Sequence, residues 1–172
     1  MAGLTHISDQ MRAAVGRSTG PRVSFPVSES DIRRWAIAVY YPDPPPREFI
    51  DADAAARSRH GGFVAPEEFN PFAWMVAVDN QSSDTTVNDP DRTERMLGVA
   101  GPGLRYQLNG GQEVEYGEPI RPGDVVTEVS RLASYHEKEG RLGLMLFTIT
   151  ELTWTNQRNE FVKLTRQSLI RY

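Results

Sequence analysis

The amino-acid sequence predicts an α+β fold in which an antiparallel sheet of about five strands wraps around a central helix. Two observations carry this prediction. Three segments in the first half of the chain space their apolar residues as helices do, and four β-rich segments follow in the second half. Helices in one block and strands in the next are typical of α+β domains. The 172 residues are enough for one domain with a sizeable core.

The sequence predicts a flexible arm over residues 1–21, and the domain itself is expected over residues 22–172. A first strand is expected near Arg22–Phe25. Ser28 and Asp31 form a capping box that begins a helix. The apolar residues of that helix recur at helical spacing: Ile32, Trp35, Ala36 and Val39. The prolines between positions 42 and 46 end it, because proline lacks an amide donor.

Two further helices are predicted before the strands. A short one begins near Asp51 and is closed by Gly61 and Gly62. The segment Pro66–Val78 is the most apolar and is expected to be the central helix. Pro71 allows two interpretations, a helix that starts after Asn70 or a kink. Residues 79–103 are polar and are expected to form a long surface loop, either a lid or a disordered segment.

The four β-rich segments cover residues 104–120, 124–139, 141–157 and 160–172. The turn RPGD, from Arg121 to Asp124, separates the first two. In the third segment one face is Leu144, Leu146, Thr148, Thr150, Leu152 and Trp154. The opposite face is also largely apolar in its middle, so one face is expected to pack on a helix and the other on a second layer or a partner.

Composition excludes several functional classes. The net charge of −4 makes nucleic acid and acidic membrane surfaces poor partners. No cysteine is present, which rules out disulfides, thiolate nucleophiles and cysteine metal sites. No metal site is predicted. No apolar run approaches the roughly 20 residues that span a bilayer, and the N-terminus has no apolar core of a secretory signal. A cytoplasmic location is therefore expected.

Four motifs in a fixed order resemble a known family. "DADAAARSRHGGFVAP", followed much later by "LNGGQEVEYGEPIRPGDVV", is similar to the MaoC-like hot-dog hydratases and dehydratases, and closest to their N-terminal, FAS-like dehydratase branch. The resemblance covers roughly residues 22–172 and implies a single hot-dog fold. Members add water to, or remove it from, the 2,3-bond of acyl thioesters on coenzyme A or acyl carrier protein, without a further cofactor.

The family's chemistry uses an Asp and a His as acid and base, and a main-chain N–H that binds the thioester oxygen. In this sequence the His position falls on Phe49 and the Asp position on Pro44, with Asp43 one residue away. The N–H position falls on Pro66, which has no N–H. The resemblance therefore implies a half that lacks catalytic groups and pairs with a catalytic MaoC-like subunit, or with itself, as a dimer of hot dogs.

Several residues are candidates for the site under this resemblance. Asp43 and His60 are weak candidates for catalysis; the more ordinary interpretations are a turn former and a loop histidine. Expected contacts of the acyl group are Tyr41, Phe49, Phe63, Val64 and Phe69. Phe49 is equally explained as core. Arg57 and Arg59 are expected to meet coenzyme A phosphates, although a solvated helix face accounts for them as well.

Three functional hypotheses remain open at this stage. The first is a non-catalytic hot-dog subunit of an (R)-specific enoyl-thioester hydratase or dehydratase, a lyase of lipid metabolism whose catalytic residues lie on a partner. The second is an active hydratase or related thioester enzyme, a homodimer that uses Asp43 and His60. The third is an acyl-CoA-binding or regulatory hot-dog protein.

Overall fold

A computed structural model describes residues 5–75 and 89–172 of the chain. Within these residues the α-helices are α1 (Asp9–Ala14), α2 (Glu29–Tyr40), α3 (Ala52–Arg57) and α4 (Arg92–Met96). Two 3₁₀ helices lie at Arg47–Phe49 and Ala73–Met75. The strands are β1 (Arg22–Val23), β2 (Gln107–Tyr116), β3 (Val126–Gly140), β4 (Gly143–Asn156) and β5 (Phe161–Arg171).

The five strands form one antiparallel sheet in the order β1-β3-β4-β5-β2. This confirms the predicted sheet. Three of the four long strands lie inside the segments that predicted them, and β3 extends one residue beyond its segment, to Gly140. The turn of the β3–β4 hairpin leads into Gly143, whose φ of 91° lies in the left-handed region that favours glycine. The capping box of α2 is also confirmed, because Ser28 and Asp31 bond each other's main-chain N–H.

One face of the sheet carries the core. Alternate residues of a strand share a face, so Leu146 and Trp154 of β4 lie on the same side. Around Trp154 the sheet packs against α2 and the segment 63–75; the buried members are Val27, Ile32, Ala65, Phe69, Phe72, Met75, Ile120, Val126, Trp154 and Val162. Around Leu146 and Leu132 the sheet is covered by α1 and by the chain that follows α4.

The N-terminal segment packs on the sheet over its described part, residues 5–21, where the sequence predicted a flexible arm. Ser8 caps α1 by accepting a hydrogen bond from the Met11 N–H. Met11 and Ala14 are fully buried, against Leu146 and Leu132 respectively. The sequence signal was missed because a helix of six residues offers only two buried positions.

The predicted central helix Pro66–Val78 is wrong over residues 66–75, which form turns and a 3₁₀ helix; residues 76–78 lie outside the described part. Asn70 Oδ1 accepts a hydrogen bond from the Phe72 N–H at 3.0 Å, across Pro71. Such a side-chain turn competes with helix formation. The apolar side chains are nevertheless buried as expected, with Phe69 and Phe72 at 1% and 2% exposure.

The predicted loop 79–103 contains α4, so the expectation of no regular structure is wrong for its second half; residues 79–88 lie outside the described part. Glu94 of α4 and Arg171 of β5 are both fully buried and form a two-pronged ion pair, with N–O distances of 2.7 and 3.0 Å. Asp91, Thr148 and Tyr135 complete this buried network. The network ties α4 to the sheet.

Candidate functional site

A cavity of about 390 Å³ lies between the end of α2, the turn at residues 59–68 and the end of β2. Its apolar wall includes Val39, Tyr40, Phe49, Val64, Ala65, Pro66, Pro119, Ile120, Trp154 and Val162. Exposed carboxylates stand among its lining residues: Glu48, Glu67, Glu68 and Glu118. One buried cation, Lys163 of β5, also lines it. The cavity thus combines an apolar wall with an acidic rim and a single internal ammonium group.

Four of the site residues expected from the sequence line this cavity: Phe49, Arg59, His60 and Val64. Phe49 and Val64 form a small buried cluster with Ala36 of α2. The Phe49 ring also stacks on Tyr40, with ring centroids 6.3 Å apart. Phe49 therefore belongs both to the core and to the cavity wall.

The other expected contacts of an acyl group are not among the residues that line the cavity. Phe69 is core, with its ring edge-on to Trp35 at 5.6 Å. Phe63 is buried beneath the Arg33 guanidinium, which lies 4.7 Å from the ring centroid. Tyr41 is 80% exposed and Arg57 is exposed.

Asp43 and His60, the two weak catalytic candidates, are not arranged as an acid–base pair. Asp43 is exposed, and its main-chain N–H donates to the Tyr40 carbonyl in a turn. The His60 ring accepts a hydrogen bond at Nε2 from Arg59 Nε, at 2.9 Å. In residues 5–75 and 89–172, no histidine ring is hydrogen-bonded to a carboxylate.

The turn that carries His60 is held by the RPGD motif. Both terminal nitrogens of Arg121 donate to the His60 carbonyl at 3.2 Å. The motif is closed on itself, because Asp124 accepts from the Arg121 N–H at 2.8 Å. Pro66 follows this turn in the cavity wall, where it offers no N–H to a ligand.

A row of four side chains crosses the sheet at the cavity floor, and sequence reasoning missed it. Strand register places Glu128, Trp154, Lys163 and Tyr116 side by side on β3, β4, β5 and β2. The Lys163 Nζ lies 4.2 Å from the Trp154 ring centroid and 5.7 Å from that of Tyr116. Burial lowers the pKa of Lys163, although Glu68 and Glu128 act in the opposite direction.

The two aromatic side chains of this row donate hydrogen bonds to the neighbouring carboxylates. Trp154 Nε1 donates to Glu128 at 2.7 Å, and the Tyr116 hydroxyl donates to Glu68. Burial and then the bond to Glu68 raise the pKa of Tyr116 to about 12. The sequence held one indication of this row, because the segment "FVKLT" places Lys163 inside a largely apolar strand. The neighbours of that lysine could not be predicted from the sequence, because they depend on the strand register.

The described residues contain no cluster of His, Cys, Asp and Glu suited to a metal ion. No helix within the described ranges is long and apolar enough to cross a membrane.

Comparison with known proteins places these features in a family. The family model described as "FAS1-like, dehydratase domain region" matches residues 13–165. A UPF0336 protein of Streptomyces coelicolor is 27% identical over 131 residues, 75% of each chain.

Three solved structures have similar folds. A MaoC-like dehydratase from Rhodospirillum rubrum is 22% identical over 92% of each chain, with a TM-score of 0.57. The ChsH1-ChsH2 complex from Mycobacterium tuberculosis gives 21% identity and a TM-score of 0.64 over 95% of this chain and 87% of that one. The HadBC (3R-hydroxyacyl-ACP dehydratase) complex from the same organism is 19% identical, with a TM-score of 0.59, over 91% of this chain and 96% of that one. The predicted hot-dog α+β fold is confirmed by this likeness.

Proposed function

The chain belongs to the family of FAS1-like dehydratase domain regions, and on that premise we propose that it is a non-catalytic subunit of an (R)-specific enoyl-thioester hydratase or dehydratase. In this role it binds the acyl part of a coenzyme A or acyl-carrier-protein thioester. The acid and base lie on a catalytic MaoC-like hot-dog partner. Such a lyase of lipid metabolism would operate in the cytoplasm.

The observation that carries the proposal is a cavity with a largely apolar wall and, among its lining residues, no hydrogen-bonded pair of a histidine and a carboxylate. Phe49 and Pro66 line it where the family's His and main-chain donor are expected. Asp43 is exposed in a turn outside the cavity lining. Replacing an imidazole by a phenyl ring exchanges a proton carrier for apolar surface, which favours binding of a hydrocarbon chain over chemistry.

Pairing is supported by the sheet and by the structural neighbours. β2 is an edge strand, and the face of β4 opposite the core includes the half-buried residues Phe147 and Ile149. Edges and apolar faces of this kind are commonly covered by a second subunit. Two similar structures, ChsH1-ChsH2 and HadBC, are complexes. We therefore propose a dimer of hot dogs, with a catalytic subunit or with a second copy.

Hydration of crotonyl-CoA and of a long or ring-bearing enoyl-CoA by the purified chain tests the proposal. Alone, the chain is expected to give only background rates. With the catalytic subunit that co-purifies on co-expression with neighbouring genes, it is expected to raise activity, chiefly on the bulky substrate.

Robust turnover by the single chain that is lost on His60→Ala or Asp43→Asn would contradict the proposal and favour the active homodimer. Asp53→Asn, at an exposed position of α3 outside the cavity lining, is the matched control for Asp43→Asn. Binding of acyl-CoA without any effect on a hydratase would instead favour a regulatory protein.

A further inference from the structure

Lys163 has a buried side chain whose ammonium group opens into the cavity without a hydrogen-bonding partner among the described residues. Lys163 is only 9% exposed. Within residues 5–75 and 89–172 its ammonium makes no ion pair or hydrogen bond, and its contacts are the faces of Trp154 and Tyr116. A ligand that fills the cavity removes solvent from this charge, which is costly unless the ligand offers an acceptor, because rings compensate only part of that cost.

The nearby carboxylates do not supply the missing partner. Glu128 accepts a hydrogen bond from Trp154, and Glu68 accepts one from Tyr116. Both remain too far from the Lys163 ammonium for an ion pair. The ammonium therefore keeps its hydrogen-bonding capacity for a molecule that enters the cavity.

The cavity indicates the chemistry of that molecule. Its wall is largely apolar, so it accepts a hydrocarbon part, and Lys163 adds one strong donor inside that wall. The exposed carboxylates at Glu48, Glu67 and Glu118 outnumber the one exposed guanidinium of the lining, Arg59, and so disfavour the entry of an anion. The combination suits a neutral oxygen acceptor on an otherwise apolar group.

We propose that Lys163 makes this cavity selective for acyl groups that carry a neutral oxygen, such as a keto oxygen, in their distal part. This inference rests on the proposed function, since it assumes that the acyl part of a thioester occupies the cavity. The bond is a charge-assisted hydrogen bond from the ammonium to the oxygen, with no covalent step. Plain hydrocarbon chains leave the ammonium unsatisfied and bind less well.

The test compares two acyl-CoA ligands of equal length, a plain chain and one with a keto oxygen near its end. Both are titrated into the chain as isolated, with its partner where one co-purifies. Wild type is expected to bind the keto ligand about ten- to hundredfold more tightly, the range of a hydrogen bond to a charged group. Lys163→Met is expected to abolish this preference, and Lys163→Arg to retain part of it.

The sequence offers an unusually clean control. It contains only two lysines, Lys163 and the exposed Lys138 of β3, so Lys138→Met is matched in chemistry and must keep the preference. Reductive methylation with ¹³C-formaldehyde labels both lysine amines, together with the terminal α-amine, for NMR. The Lys163 signal is expected to shift with the keto ligand and not with the plain one, while the Lys138 signal stays in place.

The outcomes separate the two proposals. If wild type binds neither ligand, the proposed function fails, and this inference with it. If both ligands bind equally, or Lys163→Met keeps the preference, the inference alone is overturned. A third ligand with a terminal carboxylate that binds more tightly than the keto ligand, in a manner dependent on Lys163, would overturn the preference for a neutral oxygen.

Discussion

Removing one partner of the buried ion pair between Glu94 and Arg171 is expected to destabilise the fold strongly. Both side chains are fully buried. Arg171 also donates to the Pro90 carbonyl at 2.8 Å, to Asp91 at 2.9 Å and to Thr148 at 2.6 Å. Glu94→Gln keeps the shape but removes the fully buried one of the two carboxylate charges that face the guanidinium. Breaking a buried pair in this way costs about 3–5 kcal/mol of the free energy of unfolding.

Urea unfolding followed by circular dichroism measures this effect. With a denaturant slope of about 2 kcal/mol per M, the midpoint is expected to fall by about 1.5–2.5 M. Glu29→Gln is the matched control, because Glu29 and Arg33 form an exposed pair on α2 at 2.9 Å. Exposed pairs of this kind contribute about 0–1 kcal/mol. A Glu94→Gln midpoint equal to that of the control would refute the reasoning.

A double-mutant cycle distinguishes loss of the pair from loss of local packing. Arg171→Met removes the cation, so that adding Glu94→Gln no longer leaves a buried charge opposite an uncharged amide. The double variant is therefore expected to be less destabilised than the sum of the two single variants. Strict additivity would indicate that the two side chains act independently.

Three further predictions address the cavity and the assembly. Phe49→His, alone or with Pro66→Gly, is expected to leave crotonyl-CoA hydration at background, because groups that act as a unit recover little singly; turnover by either variant would contradict this. The melting temperature of wild type relative to Lys163→Met is expected to rise with pH up to about the free-lysine pKa of 10.5. The folded chain releases this proton first, so the unfolded state binds more protons in that window; a difference independent of pH would count against it. Sedimentation at micromolar concentration is expected to show a dimer of hot-dog units, and a stable monomer that gains no partner on co-expression would exclude it.

The parts of the fold that depend on local pattern could be predicted from the sequence. Alternation in β4 placed Leu146 and Trp154 on one face, and the capping box placed the start of α2. The segment at residues 66–75 failed because helical spacing of apolar residues also fits consecutive turns that bury Phe69 and Phe72. Spacing reports which side chains are buried, and it does not report how the main chain achieves this.

The parts that depend on distant partners could not be predicted. The Glu94–Arg171 pair joins positions 77 residues apart, and only the packing of α4 on the sheet brings them together. For the site, the resemblance pointed to Phe49, Val64, Arg59 and His60, which do line one cavity. Lys163 enters that cavity because β5 pairs with β2 and β4 in a particular register. A shift of one residue would have turned its side chain to the opposite face.

The two buried cations of β5 have opposite surroundings, and the contrast bears on function. Both terminal nitrogens of Arg171 donate to groups of the fold, which are two carboxylates, a hydroxyl and a carbonyl, so its burial is explained by structure. Lys163 lies on the same face of the same strand, yet its contacts are aromatic faces. A methionine at this position would fill similar space without the desolvation cost. Lys163 thus presents to the cavity an ammonium group that no described residue bonds, and under the proposal above its partner is an oxygen acceptor that arrives with the ligand.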